Sequence, residues 1–256
     1  MRIAKSAYEM LAVPVVVLLV WLVGSSFSSS FYFPPLAEIL TQFGELWFSE
    51  RLFTDVLPSV GRLLAGYGLS CVVGILIGLA LGMSWRARSA AEPVLEFFRA
   101  IPPPALVPVL ILLLGFGDQM KIWVIVVGSI WPILLNTVDG VRGHDEVLDE
   151  TCQSYQFRWH SRLRHMVLPG AMPRIFAGAR QGLSIAIILM VISEMFAATD
   201  GLGAAIILFQ RSFAMPEMWS GVLLLGLIGF GLSMLFEFVE RRSLGWYHES
   251  RQLKEG

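Results

Sequence analysis

Long apolar segments separated by shorter polar ones dominate the chain. About 20 apolar residues suffice to cross the hydrocarbon layer of a membrane as a helix. Six segments approach or reach that length, and we predict them as membrane spans. The pattern therefore predicts an all-α integral membrane protein with six transmembrane helices in a single domain, residues 1–256. The predicted spans are residues 10–27, 63–83, 95–117, 121–137, 176–198 and 218–239.

The first apolar segment has an alternative interpretation. Arg2 and Lys5 precede it and Gly24 follows it, an order that also suits a cleaved signal peptide. Trp21 near its end, together with the apolar segments that follow, favours an uncleaved first span.

Three consecutive prolines, at residues 102–104, interrupt the third predicted span. Proline cannot donate a backbone hydrogen bond, so a regular helix cannot continue through them. As a helix, residues 105–117 would be only about 20 Å long, whereas a crossing needs about 30 Å. We therefore expect this span to recruit residues from Pro93 onward and to be broken near the prolines.

Small residues recur at every fourth position of the second predicted span: Gly66, Ser70, Gly74, Gly78 and Gly82. Such a stripe lets a neighbouring helix approach closely. Packing inside the subunit and contact between subunits explain it equally well.

Composition narrows the class of function. Hydrophobic residues make up 55% of the chain and charged residues 15%, against about a quarter charged in soluble domains. The net charge of −1 gives no basic field for nucleic acid. Cys71 and Cys152 are predicted in a span and in a polar loop, so we expect no disulfide. The histidines lack metal-ligand spacing, and no phosphate-binding loop occurs, so ATP would be bound by another chain.

Basic residues predict the orientation. Lys and Arg concentrate in segments that face the cytosol if both termini are cytoplasmic. The outer segments then hold only Arg51, Arg62, Lys121 and Arg211. Short helices are predicted in these outer segments over residues 37–48 and 204–213, and residues 118–121 are predicted as a tight outer turn.

A polar run, residues 145–169, lies between the fourth and fifth predicted spans. Leu148, Cys152 and Tyr155 fall at i, i+4 and i+7, which predicts one apolar face of a short helix. This face would contact either a partner or the protein's own loop. A second helix is predicted over residues 159–166.

Proline is expected to shape the end of this run as well. Pro169, after Leu168, is expected to stop the second helix because it lacks a donor. Pro173 is then expected to open the helix of the fifth span.

The polar run resembles the coupling loop of importer permeases of the ATP-binding cassette (ABC) type. The family pattern is Glu-Ala-Ala, three residues, Gly, nine residues, an aliphatic residue, any residue, then Leu-Pro. Here residues 150–152 take the first slot, Gln156 the glycine position and Met166 the aliphatic position, and residues 168–169 match outright. The glycine suits a left-handed turn after the helix, and glutamine there would cost about 1 kcal/mol or more.

The resemblance extends over roughly residues 62–239, which look like the permeases for nitrate, sulfonates and taurine. The segments that carry it are residues 98–103, 106–108, 115–117, 133–142, 193–195 and 200–203.

The resemblance implies a type I ABC importer permease fold with a cytosolic coupling helix, in a bacterial inner membrane. It implies a homodimer in the lipid bilayer with two cytosolic ATPase subunits and an external substrate-binding protein, and no nucleic acid. ATP and Mg²⁺ would be used by the ATPase, and this chain would bind no cofactor or metal and catalyse no reaction. The implied coupling residues are Leu148, Glu150, Thr151, Cys152, Tyr155, Gln156, Leu168 and Pro169.

Polar residues inside predicted spans are candidates for the translocation pathway. Glu194, beside Ser193, is costly within a bilayer and is expected to face a cavity or a partner. It lies about a turn from the outer end, so reaching the headgroup water is the alternative. Asn136 and Thr137 are expected either to end the fourth span or to bond the proline break.

These features predict the permease subunit of an ATP-driven importer for a small solute, such as nitrate, a sulfonate, taurine or another small organic acid. A passive channel or membrane scaffold is the alternative, although a channel needs no polar loop with an apolar face. A membrane enzyme ranks third, because the spans show no nucleophile–base set.

Overall fold

The computed structural model describes residues 16, 20–25, 30–143, 150–152, 154–197 and 199–245. Regular structure in these residues is entirely helical, so the all-α prediction is confirmed. The first predicted span and Leu148 lie largely or wholly outside the described residues.

Nine α-helices, two π turns and one 3₁₀ turn lie wholly within the described residues from 36 onward, and residues 150–152 and 154 are also helical. The α-helices are α1 Leu36–Trp47, α2 Leu57–Met83, α3 Trp85–Ala100, α4 Val107–Leu114, α5 Asp118–Arg142, α6 Trp159–Arg162, α7 Leu168–Ala197, α8 Leu202–Arg211 and α9 Met215–Ser243. The π turns are Leu52–Val56 and Leu163–Val167, and the 3₁₀ turn is Pro103–Leu106.

Within the described residues, four continuous helical segments are long and apolar enough to cross a membrane: Leu52–Met83, Asp118–Arg142, Trp159–Phe196 and Met215–Ser243. They overlap the second, fourth, fifth and sixth predicted spans. The broken pair α3 and Pro103–Leu114 adds a fifth if it counts as one span.

The helix breaks at the prolines, as expected, but it does not continue in one direction. The two parts are bent by 85°. Ile101 and Pro102, each followed by a proline, are extended with ψ of 121° and 120°, because a following proline disfavours helical backbone. Pro93 lies inside α3, which begins at Trp85. The helix before the break therefore begins eight residues ahead of Pro93, the position from which the span was expected to recruit residues.

Helix α5 is longer at both ends than the sequence predicted. It begins at Asp118, so the predicted turn over residues 118–121 is wrong; the Asp118 charge suits a helix N-terminus. Asn136 donates to the Pro132 carbonyl at 2.8 Å, and Thr137 to the Ile133 carbonyl at 2.6 Å. Both side chains therefore bond within a continuing helix, and they neither end it nor reach the proline break.

The prolines after the polar run also lie inside helix. The chain is helical from α6 through the π turn Leu163–Val167 to the end of α7. Pro169 is the second residue of α7, immediately after the π turn, where the hydrogen-bond register changes and a missing donor is tolerated. Pro173 lies in the interior of α7. The predicted stop at Pro169 and start at Pro173 are both wrong.

The stripe of small residues on α2 packs against α5 of the same subunit. A Cβ at Gly66 would lie 2.8 Å from the Cβ of Ile125, and one at Gly78 would lie 2.6 Å from the Cβ of Thr137. Between them the hydroxyls of Ser70 and Ser129 hydrogen-bond at 2.7 Å. Of the two explanations left open by the sequence, intrasubunit packing is correct.

Helix α7 packs closely against both α5 and α2. A Cβ at Gly178 would lie 2.6 Å from the Pro132 carbonyl oxygen. Tyr67 of α2 donates its hydroxyl to the Ala179 carbonyl at 2.9 Å. Helices α2, α5 and α7 thus form a three-helix block around buried Leu63, Ile125 and Leu189.

Helices α1 and α8 cover one end of the block. The Trp47 indole donates to the Ser220 hydroxyl of α9 at 3.0 Å, and its ring meets Phe209 of α8 edge-on. The two short helices predicted in the outer segments are therefore present, as α1 and α8.

We predict that Gly78→Ala lowers the free energy of unfolding by about 1–3 kcal/mol, because the added methyl overpacks the contact with Thr137. Gly68→Ala on the same helix is the control. A Cβ there meets no atom within 4 Å, so the change should be neutral or stabilising by up to about 1 kcal/mol. Thermal unfolding in detergent measures both, and equal melting temperatures would contradict the packing.

Candidate functional site

Glu194 lies at the end of α7 and is completely buried, with 0% of its side chain exposed. Its carboxylate accepts hydrogen bonds from the Ser59 hydroxyl at 2.7 Å, Arg62 at 2.9 Å and the Gly203 amide at 3.0 Å. The sequence left two interpretations of Glu194: it faces a cavity or partner, or it reaches the headgroup water. In the structure it is paired. The side chain does not reach the surface.

Arg62 on α2 is the partner that sequence reasoning missed. The sequence places it only in an outer segment. Besides Glu194, its guanidinium binds the carboxylates of Asp118, at 2.8 Å, and Asp200. Arg62 therefore joins the start of α5, the end of α7 and the loop before α8. Its position directly before the predicted apolar span, residues 63–83, was a signal that could have identified it.

The loop from α7 to α8 wraps around the Glu194 carboxylate. Gly201 has φ of 113°, and a Cβ there would lie 2.6 Å from the Glu194 carboxyl carbon. The Gly201 amide donates to Asp55 at 3.2 Å, and the Leu202 amide donates to Ser59 at 2.9 Å. Glycine is required here because both the backbone conformation and the space exclude a side chain.

Asp200 and Lys121 complete the ion network at this end. Burial of Asp200 opposes its ionisation, but its hydrogen bond with Arg62 and the charges of Arg62 and Lys121 outweigh that effect and lower the pKa of Asp200. Lys121 is 3% exposed, with Asp118 and Asp200 oxygens at 3.6 and 3.5 Å. We call Arg62, Lys121, Asp118, Glu194 and Asp200 the outer ion network, after the side of the membrane on which the sequence predicts this end of the spans.

The other two polar candidates do not join this network. The Ser193 hydroxyl donates to the Met190 carbonyl of its own helix at 2.8 Å. Asn136 lies about 27 Å along α5 from Asp118, at 1.5 Å per residue. It lines a separate cavity of about 580 Å³ with Asp139 and Arg174.

Residues 150–152 and 154 of the polar run are helical and are here called the short helix; two apolar residues of the run differ in exposure. Cys152 is 8% exposed, with its sulfur 3.4 Å from the sulfur of Met166. Tyr155 is 74% exposed. The predicted common face therefore does not form, and Cys152 packs on the protein's own loop.

Gln156 has φ of 51°, so the left-handed turn expected at the family's glycine position is present. The Phe157 amide donates to the Cys152 carbonyl at 3.0 Å, as in a Schellman motif whose left-handed residue is Gln156. The chain thus turns sharply after the short helix although no glycine is present.

The turn leaves three aromatic side chains exposed: Tyr155, Phe157 and Trp159, here called the aromatic patch. The rings of Tyr155 and Phe157 stack at 6.4 Å between centroids. Of the other predicted coupling residues, Glu150 and Thr151 are exposed, and Leu168 and Pro169 are half-buried at the start of α7. Sequence reasoning missed Phe157 and Trp159, which lie after the turn and outside the helical periodicity.

Comparison with known proteins gives consistent similarities. Residues 71–243 match the family model described as binding-protein-dependent transport system inner membrane component. The chain is 30% identical to the putative aliphatic sulfonates transport permease SsuC of Bacillus subtilis, over 92% of this chain and 86% of that protein. It is 28% identical to the taurine transport system permease TauC of Escherichia coli, over 86% and 82%.

A solved structure supports the fold. An inward-facing structure of the MetNI methionine ABC transporter superposes with a TM-score of 0.62, covering 73% of this chain and 94% of that one. Identity is 18%, so this likeness concerns the fold alone. The predicted type I permease fold is confirmed.

We predict that Arg62→Met destabilises the protein by about 3–5 kcal/mol, because it leaves the Glu194 carboxylate buried without its cation. The double variant Arg62→Met, Glu194→Met should lose less than the sum of the single variants, because the unpaired charge is gone. Thermal unfolding measures the cycle. The matched control is the exposed pair Glu237 and Arg241, where alanine should cost less than about 1 kcal/mol. Additive losses at Arg62 and Glu194 would contradict the pairing.

We predict that Gln156→Gly stabilises the polar loop by about 1 kcal/mol, because glycine adopts the left-handed conformation without strain. Gln181→Gly, the same change inside α7, should instead destabilise by about 1 kcal/mol. Hydrogen exchange of residues 154–158 and thermal unfolding measure the two effects. Faster exchange in Gln156→Gly would contradict the account of this turn.

Proposed function

This chain belongs to the family of inner membrane components of binding-protein-dependent transport systems and is the permease subunit of an ABC importer, and we propose the assembly and the contacts through which it works. It pairs with a second copy of itself and with two cytosolic ATPase subunits, which bind ATP and Mg²⁺. An external binding protein delivers the solute. Family membership leaves the passive channel, scaffold and membrane enzyme without support.

The observation that carries the proposal is the aromatic patch. Exposed Tyr, Phe and Trp side chains on a short polar loop are typical of a protein interface, where aromatic residues supply most of the binding energy. Tyr155, Phe157 and Trp159 are all more than half exposed in the isolated chain. We assign them to the contact with the ATPase.

The remaining coupling residues have supporting roles. Glu150 and Thr151 are exposed residues of the short helix that precedes the patch. Cys152 holds that helix against Met166 from within. Gln156 provides the turn that directs Tyr155 and Phe157 outward.

Continuous helix connects this contact to the outer ion network. The helical segment Trp159–Phe196 spans 38 residues, about 57 Å at 1.5 Å per residue. It begins in the aromatic patch and contains Glu194 near its far end. Closure of the ATPase subunits on ATP would therefore move the outer ends of α2, α5 and α7 without an intervening loop.

Orientation in the membrane follows from the basic residues. Both termini are assigned to the cytoplasm of a bacterial cell, because most of the 19 Lys and Arg residues then face inward. Of the outer basic residues, Arg62 and Lys121 are buried in ion pairs. This orientation places the aromatic patch on the cytosolic side, where an ATPase can reach it.

The solute is assigned to the class of nitrate, sulfonates, taurine and other small organic acids. The relatives named for aliphatic sulfonates and for taurine support this class.

We predict that Phe157→Ala reduces co-purification of the ATPase and ATP hydrolysis by the complex about tenfold or more, because it removes a central aromatic contact. Phe48→Ala at the outer side is the control, since Phe48 is also more than half exposed, and this variant should retain both co-purification and ATP hydrolysis. Equal ATPase retention by the two variants would show that the patch is not the contact.

A further inference from the structure

A cavity of about 560 Å³ opens at the outer end of the three-helix block. Two loops border it: the one between α4 and α5 and the one between α7 and α8. We call it the outer pocket. Its lining includes Phe116, Asp118, Lys121, Phe196, Thr199 and Asp200.

Lys121 is a buried cation in the wall of this pocket. Its side chain is 3% exposed, and its ammonium contacts Asp200 and Asp118 oxygens only at 3.5 and 3.6 Å. Charge-assisted hydrogen bonds normally measure about 2.7–2.9 Å. Arg62, in contrast, binds Asp118 at 2.8 Å. The carboxylates are therefore held mainly by Arg62, and the Lys121 ammonium keeps capacity to donate to a ligand.

The charges around the pocket do not balance. Arg62 and Lys121 face the three carboxylates of Asp118, Glu194 and Asp200, which leaves one negative charge in excess. A ligand with only an anionic group would meet Lys121 but be repelled by the excess charge. A ligand that also carries an ammonium group would offset it, because the carboxylates of Asp118 and Asp200 are partly exposed.

Two aromatic rings give the pocket apolar walls. Phe116 is 77% exposed and Phe196 is 65% exposed, and both line the pocket beside the ion network. A short aliphatic chain between them would remove apolar surface from water. The volume is within the range of small-molecule sites, about 300–1,000 Å³.

We propose that the outer pocket binds a short aliphatic zwitterion on its way into the transporter. The oxyanion end accepts hydrogen bonds from Lys121, the ammonium end donates to Asp118 and Asp200, and the carbon chain lies against Phe116 and Phe196. The proposal rests on the importer function and narrows its substrate class from small acids in general to amino-substituted ones.

Binding of two matched probes to the complete transporter in lipid nanodiscs, without binding protein, tests this. The probes are 2-aminoethanesulfonate and ethanesulfonate, which differ in the ammonium group alone. Titration calorimetry should give about tenfold or more tighter binding of the zwitterion, since a charge-assisted hydrogen bond is lost with ethanesulfonate. Equal affinities, or no saturable binding of the zwitterion, would overturn the proposal.

Variants locate the site. Lys121→Gln should weaken binding of 2-aminoethanesulfonate about tenfold or more, and Lys121→Arg should retain most of it. Phe116→Ala leaves the ion network intact and should weaken binding about threefold to tenfold through lost apolar contact. Arg211→Gln, which removes an exposed outer cation away from the pocket, should change nothing. Unchanged affinity in both Lys121→Gln and Phe116→Ala would place the zwitterion elsewhere.

The same preparation distinguishes a failure of this proposal from a failure of the importer function on which it rests. Co-purification of the ATPase and ATP hydrolysis by the wild-type complex report the importer assembly without any solute. Their absence would count against the assembly. Their presence, together with equal binding of the two probes, would count against the outer pocket alone.

Discussion

A carboxylate sealed in an apolar interior must be paired, and the outer end of this molecule is built around that requirement. Glu194 has no exposed surface, so its ionised form is tolerable only with Arg62, Ser59 and the Gly203 amide around it. The requirement fixes the rotation of α2, the end of α7 and the glycines of the following loop. The same arginine also fixes the start of α5, through Asp118.

Close helix contacts continue this constraint through the block. Glycines let α2 and α7 approach α5 from two sides, at distances that leave no room for a methyl group at Gly78 or Gly178. Interiors packed this closely transmit displacement instead of absorbing it. The 85° break between α3 and the segment Pro103–Leu114 is different, because extended backbone separates the two helices there.

Local patterns in the sequence predicted much of this fold. The glycine stripe, the proline break and the apolar lengths each have a physical meaning within one segment, and each corresponds to a feature of the structure. The resemblance in spacing implies a left-handed turn at the family's glycine position, and the structure has that turn at Gln156 although the glutamine side chain argued against it. The sequence also predicted that Glu194 faces a partner or a cavity, because a charged side chain in an apolar helix is costly without one.

The errors came from residues whose effect depends on their surroundings. Asn136 looks like a helix end, yet its side chain bonds one turn back and the helix continues. Pro169 looks like a stop, but the preceding π turn accommodates it. Cys152 and Tyr155 have helical spacing, but the helix ends too soon for them to share a face. Arg62 could not be matched to Glu194 because they are 132 positions apart in the chain.

The continuous segment Trp159–Phe196 has a simple mechanical consequence. A rod of about 57 Å that tilts by about 5° around its cytosolic end displaces its other end by about 5 Å. This displacement is larger than the length of every hydrogen bond to Glu194; those lengths range from 2.7 to 3.0 Å. A small rotation of α7 at the ATPase side therefore has one of two outcomes at the outer side. Either the helices bonded to Glu194 move together with α7, or the hydrogen bonds of the ion network break.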